Sequence, residues 1–286
     1  MLKILITGGN GNIASMIKKN LKNKYDITNL SRKELDLLDY NTLESFFNNI
    51  NNKFDIVVHT AVLGGRRTKI ENGETTYINL IMFENLLKFA DKFKMIINID
   101  SGAIYDRNTD ILNRKENDLY TIPNDYYGFS KYIIYNRSLQ YDNVVNLRVF
   151  NIFHKKEEND RFIRMCFNAK NNDENITIFK DKYFDFFYET DFMKILDYYF
   201  DSIKPENNSK LIYKTLNIGY KEKYKLSEIA KLIIEDDNKI IIMEPNSNNY
   251  SGNVEKLYKL NIEFNGLEKS LQCFGDEVDS QIIMRR

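Results

Sequence analysis

Tyr127-Gly128-Phe129-Ser130-Lys131 sets a phenol and an ammonium four residues apart. On a helix that spacing puts both on one face, so the two side chains can enter one cleft. A neighbouring ammonium favours tyrosinate and draws down a pKa that starts near ~10. Such a phenol can give or take a proton while hydride moves at the adjacent carbon. Ser101, at the end of an earlier apolar run, offers a hydroxyl to the same oxygen. A lone YxxxK arises often by chance, and Tyr127 could be one more aromatic in an aromatic-rich helix. Its weight comes from its place behind Ser101 and behind a glycine turn at the start of the chain.

That turn is Thr7-Gly8-Gly9-Asn10-Gly11-Asn12-Ile13-Ala14, between an apolar run and a helical pattern. Glycines allow a tight bend and let backbone N–H groups approach a pyrophosphate, whose charge then rests on the helix N-terminus. Ala14 fills the third small slot, needed only for helix–strand packing. The bland alternative is a plain strand-to-helix connection. A second run ends in Asn29-Leu30-Ser31-Arg32-Lys33. A carboxylate there would hold ribose hydroxyls. A hydroxyl and two cations suit a 2′-phosphate instead, which favours NADP(H) over NAD(H).

These groups need a scaffold that brings them together, and the pattern supplies one. Strands are expected at Leu2–Thr7, Tyr25–Leu30, Phe54–Thr60, Met95–Ile99 and Val144–Val149. Helices are expected between them at Ile13–Leu21, Tyr40–Ile50, Thr75–Phe89 and Tyr126–Tyr141. Strands alternating with helices of this length imply right-handed crossovers and an α/β fold, a doubly wound parallel sheet of the Rossmann type. Beyond residue 154 the pattern is irregular. Lys155–Asp160 and Asn168–Asn175 read as loops, Asp191–Tyr199 and Leu226–Glu235 as helices, and Thr215–Ile218 as a strand. The expected division is a dinucleotide-binding domain at 1–153, with segments near 185–218 returning to it. Residues 154–286 form mainly a smaller C-terminal substrate-binding lobe. Gly275–Arg286 reads as a partly disordered tail.

The 286 residues carry 41 Lys+Arg against 41 Asp+Glu, so no global field draws the protein to nucleic acid or an anionic membrane. Two distant cysteines, Cys166 and Cys273, and two histidines, His59 and His154, argue for a reduced cytoplasmic protein with no metal site. No apolar run approaches a transmembrane helix, and the N-terminal one is too short for a signal peptide. The two long helices carry Phe83, Leu86, Leu87, Phe129, Tyr132, Ile133 and Ile134 on more than one face, which predicts a homodimer through that helix pair.

Together these motifs resemble the extended short-chain dehydrogenase/reductases of the NAD-dependent epimerase/dehydratase family, over residues 2 to about 274. Within it they are most similar to GDP-fucose synthase and other nucleotide-4-ketosugar reductases. The resemblance carries Thr7–Ala14, the Ser31–Asp39 stretch, His59-Thr60-Ala61, Tyr77-Ile78-Asn79, Ser101-Gly102-Ala103-Ile104-Tyr105, Leu147–Asn151, Asp185–Asp191 and Leu216–Gly219. It implies Ser101, Tyr127 and Lys131 as catalytic residues. It implies cofactor contacts from Gly8, Gly9, Asn10, Gly11, Asn12, Ile13, Ser31, Arg32, Asp36, Leu37, Thr60, Ala61, Val62 and Asn79, and from Tyr127 and Lys131. Substrate contacts are implied for Ala103, Asn151 and Asp185.

The departures from the family pattern narrow the chemistry. Gly102 and Ala103 stand where the dehydratases carry an Asp-Glu pair, and Ala103 also replaces the epimerising cysteine of GDP-fucose synthase. His154 falls too close to Asn151 to match that enzyme's histidine. Phe184 occupies the place of a phosphate-binding arginine, with Lys180, Lys182 or Arg161 as substitutes. The expected activity is NADPH-dependent reduction of a nucleotide-linked 4-keto sugar. Two alternatives remain, a nucleotide-sugar 4-epimerase or 4-dehydrogenase with NAD, and a cofactor-sensing regulator without catalysis.

Overall fold

The computed structural model describes residues 1–49, 53–66, 70–207 and 211–283. In chain order the first half holds β1 (Lys3–Thr7), α1 (Asn12–Leu21), β2 (Asp26–Leu30), α2 (Tyr40–Asn48), β3 (Ile56–His59), α3 (Gly73–Leu87), β4 (Met95–Ser101), β5 (Ile111–Arg114), α4 (Tyr126–Ser138) and β6 (Val144–Val149). The second half holds β7 (Ile152–Phe153), α5 (Phe162–Asn172), β8 (Ile176–Lys180), β9 (Phe187–Tyr188), α6 (Glu189–Ser202), β10 (Thr215–Ile218), α7 (Leu226–Ile233), β11 (Ile240–Glu244), β12 (Tyr250–Gly252), α8 (Glu255–Tyr258) and α9 (Leu267–Ile283).

Six strands form one parallel sheet in the order β10-β6-β4-β3-β1-β2. Helices cover both faces, so strands such as Ile56–His59 and Met95–Ser101 are buried along their whole length and are mostly apolar, with polar residues toward their carboxyl ends. From β1 the chain steps outward to β2, then returns to the other side of β1 as β3. The strand order therefore reverses at β1, and the crevice at the carboxyl ends of β1 and β3 is where such a sheet binds ligands. This is the expected α/β Rossmann-type architecture.

Local chemistry sets the helix boundaries. Asp39 caps α2 through Asn41 and Thr42 N–H groups at 3.0 and 3.2 Å. Asn72 and Thr75 form a capping box, so α3 begins at Gly73, ahead of the expected Thr75. The catalytic helix ends at Ser138, short of Tyr141, because Gln140 and Tyr141 turn into bonds from three residues back. The expected end of α2 at Ile50 lies outside the described residues.

Part of an expected loop and part of the tail expected to be partly disordered are helical. Asn168–Asn172 closes α5: Ile163, Cys166, Phe167 and Ala169 are buried, while Lys170 and Asn171 face outward. The polar composition of the last turn hid its apolar stripe. Likewise Gly275–Ile283 belongs to α9, where Leu271, Phe274 and Val278 are buried; Phe274 packs on Phe153 at 5.7 Å. Among the described residues, no helix is long and apolar enough to cross a membrane.

Candidate active site

The glycine turn joins β1 to α1 at the point of strand reversal. Gly8 has φ +74°, and a Cβ there would meet the Ala61 backbone at 2.8 Å, so both its conformation and its neighbour exclude a side chain. Gly9 N–H donates to the Leu30 carbonyl at 2.8 Å, and Gly11 N–H to Gly8 at 2.8 Å. Gly11 caps α1 without a side-chain bond. The first-turn N–H groups of Asn12 and Ile13 are therefore free to meet an anion, and Ala14 is fully buried against the sheet. One anion is already near. Glu158 accepts from Asn12 Nδ2 at 3.2 Å and pairs with Arg66 at 2.8 Å.

The ribose end of the crevice is lined by Ser31 and its neighbours. Ser31 N–H and Oγ both donate to Glu34 at 2.8 Å, which holds that carboxyl below its ordinary range. Arg32 Nε reaches Asp36 at 3.2 Å, yet its side chain is 72% exposed. Asp36 is half-buried and also accepts from Leu38 N–H. Leu37, expected beside the base, points into the core; Leu38 keeps the surface there. Thr60 Oγ1 donates to the Thr7 carbonyl at 2.7 Å, Ala61 packs over Gly8, and Val62 is exposed. Asn79 is spent inside the protein: it bonds both backbone groups of Leu63 and donates to Ser130 Oγ at 3.1 Å. It ties the loop after β3 to the catalytic helix.

Ser101 closes β4, and α4 carries Tyr127 and Lys131 on the face turned to it. Asp125 caps α4 through Gly128 N–H at 2.7 Å. Lys131 is buried, donates to the Ile99 carbonyl at 2.7 Å, and lies 5.7 Å from the Tyr127 ring centre. The Ser101 hydroxyl is near enough to the Tyr127 phenol to ease its ionisation. Behind them Arg148 and Asp100, both fully buried, pair at 2.8 Å and lock β6 to β4.

The expected depression of the Tyr127 pKa is not what the structure holds. Burial pushes it up to about 12; Ser101 and Arg107 pull down, while Asp100 and Glu71 push up. Lys131 is itself lowered by burial, with its ammonium committed to Ile99. The phenol is thus held protonated at neutral pH, a donor waiting for an oxygen that gains charge.

On the substrate side Ala103 is buried and gives its N–H to Ser101 Oγ at 3.2 Å. Asn151 Oδ1 is buried without a donor among the described residues, an acceptor left for a ligand. Asp185 is otherwise engaged, with Lys223 at 2.7 Å and Gly252 N–H at 2.9 Å. Phe184 stacks between Phe186 and Tyr250, and Lys182 lies 5.6 Å from its ring. Lys180 pairs with Glu244. His154 sits in a loop among Glu158, Arg161 and Arg164.

Sequence reasoning missed Glu71, Arg107, Glu158 and Tyr250. Glu71 accepts from Gly65 and Tyr127 N–H groups at 2.8 and 3.3 Å. Arg107 lies 5.8 Å over the Tyr127 ring and pairs with Asp125 at 2.5 Å. All four stand on loops or short strands with no periodicity to expose them.

The family model described as the NAD dependent epimerase/dehydratase family matches residues 4–219. Solved structures of the same fold include a GDP-mannoheptose C4 reductase from Campylobacter jejuni with NADP bound, at 18% identity and TM-score 0.77, covering 97% of this chain and 98% of that one. A dTDP-glucose 4,6-dehydratase from Bacillus anthracis in complex with NAD matches at 16% and 0.77, over 98% and 97%. A UDP-glucose 4-epimerase with UDP-glucose from Thermotoga maritima matches at 19% and 0.78, over 98% and 100%. No curated protein matches the sequence. With the glycine turn, the catalytic helix and the strand order all in place, this chain belongs to the NAD-dependent epimerase/dehydratase family and is an enzyme of the NAD(P)-dependent oxidoreductase type.

Proposed function

We propose that the protein is an NADPH-dependent reductase of a nucleotide-linked 4-keto sugar. The observation that carries this reading is the cluster of Ser101, Tyr127 and Lys131, with buried Gly102 and Ala103 directly after the serine. Those two positions bring no acid or base for dehydration or for epimerisation at C3 or C5, whereas reduction at C4 needs only the Ser101, Tyr127 and Lys131 set. Among the fold neighbours, the GDP-mannoheptose C4 reductase acts at the same carbon.

The residues present fit a dinucleotide. Backbone N–H groups of Asn12 and Ile13 at the start of α1 would hold its pyrophosphate, the Thr60–Val62 loop its ribose, and Ser31 and the exposed Arg32 guanidinium a 2′-phosphate. When bound, the nicotinamide supplies the hydride for C4. Tyr127 gives its proton to the C4 oxygen, Ser101 holds that oxygen and the phenol in line, and Lys131 stabilises the phenolate left behind. Asn151 Oδ1 offers an acceptor to a sugar hydroxyl. A cytoplasmic homodimer through α3 and α4 completes the proposal.

The test is a panel of GDP-, CDP-, UDP- and dTDP-linked 4-ketosugars, each offered with NADPH and with NADH, followed by nicotinamide absorbance. One member of the panel should consume NADPH faster than NADH. Protein that keeps bound NAD(H) and interconverts sugars without net consumption would be an epimerase instead.

A further inference from the structure

We propose that Arg66 is a cofactor-binding residue that works by exchange: together with Asn12 it leaves the Glu158 carboxylate for the pyrophosphate of the bound dinucleotide. The inference rests on the crevice taking a nicotinamide dinucleotide and is independent of the sugar.

Three segments far apart in sequence meet at the start of α1. Arg66 follows β3 and Glu158 follows β7. The Arg66 guanidinium lies 2.8 Å from Glu158 Oε1, and Asn12 Nδ2 donates to both Glu158 oxygens at 3.2 Å. Asn12 is the first residue of α1, so the carboxylate stands at a helix end whose free N–H groups favour negative charge. The backbones behind these side chains are fixed. Leu63 exchanges two bonds with Asn79, at 2.8 and 2.9 Å, and Gly65 N–H donates to Glu71 at 2.8 Å. On the other side Glu157 N–H donates to the His154 carbonyl at 2.9 Å, and the Glu158 carbonyl accepts from Arg161 N–H at 3.1 Å. What is left to move is the two side chains, 50% exposed for Arg66 and 40% for Glu158.

Counting charges gives the pair a task. A dinucleotide brings two phosphate groups, each with a negative charge, to the start of α1. With Glu158 in place, three negative charges would gather around the Arg66 guanidinium. With the carboxylate turned out to solvent, the two phosphates share Arg66, Asn12 Nδ2 and the helix end. Magnitudes favour this exchange. An ion pair this exposed contributes little, because water screens it and two side chains are ordered to make it. A guanidinium meets a phosphate through two parallel N–H bonds, a stronger and better oriented contact. Glu158 thus keeps Arg66 beside the helix end and yields it to the stronger anion.

The test is a double-mutant cycle read by binding alone. NADPH and NADH are titrated by fluorescence, and adenosine 2′-monophosphate, which lacks the pyrophosphate, by calorimetry. In a Glu158→Gln background, Arg66→Gln should weaken both reduced cofactors about tenfold, the loss of one charge-assisted contact. In the wild-type background the same change should weaken them only about threefold, because there Arg66 must first leave Glu158. Affinity for adenosine 2′-monophosphate should be the same in all four proteins. Equal losses in the two backgrounds would show that the ion pair stays closed beside the bound cofactor. No loss in the Glu158→Gln background would remove Arg66 from the site, and a change with adenosine 2′-monophosphate would put it at the other end of the cofactor. Each of these overturns the exchange. Wild-type protein that binds neither NADPH nor NADH would instead overturn the cofactor reading, and the inference with it.

Discussion

Tyr127 is buried with its proton in place; Asp100 and Glu71 oppose its ionisation and Arg107 favours it. In the proposed reduction the side chain contributes one proton, delivered as charge builds on the substrate oxygen. Tyr127→Phe should therefore lower turnover by about 10²-fold or more while leaving NADPH affinity near its wild-type value, by fluorescence titration. His59 makes a different prediction. Burial lowers its pKa to about 3, and its ring bonds Thr7 Oγ1 at 3.0 Å as neutral imidazole. The unfolded chain protonates this histidine below about pH 6.5, whereas the folded one does not until about pH 3. Its contribution to stability is complete above pH 6.5 and is lost as pH falls toward 3. Between pH 7 and 4.5 that loss is on the order of 2–3 kcal/mol. Denaturant melts of His59→Gln should show a smaller drop over that interval than wild type.

At the scale of elements, the sequence exposes what periodicity and glycine write. The parallel strands were legible as short, mainly apolar runs between helical patterns, and the glycine turn and YxxxK pair sit on the elements expected to carry them. The elements that carry these residues were thus readable in advance, but not that Leu37 turns its side chain to the core or that Asn79 bonds Leu63 and Ser130. The second half was not. Short strands such as β5 and β12 pair with each other across distant sequence, and α5 and α9 hide an apolar stripe beneath Asn, Lys and Asp. Glu158 belongs to this illegible class, since a loop carboxylate meets Asn12 and Arg66 only through the fold. It stands where α1 would receive a pyrophosphate, so like charges compete for one place. Glu158→Gln should tighten NADPH by a few-fold at low salt, with the gain shrinking as salt is raised. Equal affinity in the two proteins would show that the carboxylate moves aside at no cost.

At the scale of the whole molecule, α3 and α4 pack side by side and are joined by Arg137 and Glu84 at 2.7 Å. Phe83, Leu86, Leu87 and Ile134, expected to serve the interface, are buried inside this chain and cannot. Tyr77, Tyr126 and Phe129 are exposed, with Ile81, Tyr132 and Ile133 half-buried beside them, and these remain for a second copy. Light scattering should give about twice the chain mass of 33.9 kDa, and Ile133→Glu should return it to the monomer before the fold is lost. A wild-type monomer at micromolar concentration would dismiss the pairing.

The most direct measurement of the central claim follows the hydride. NADPH deuterated at the transferring position is incubated with the 4-ketosugar that the panel identifies, and the product is read by NMR. The account predicts one deuterium on sugar C4 for each NADPH consumed, none at the neighbouring carbons, and transfer slowed by about 10²-fold or more in Tyr127→Phe. Deuterium retained on the cofactor, or a sugar interconverted without it, would contradict a reductase.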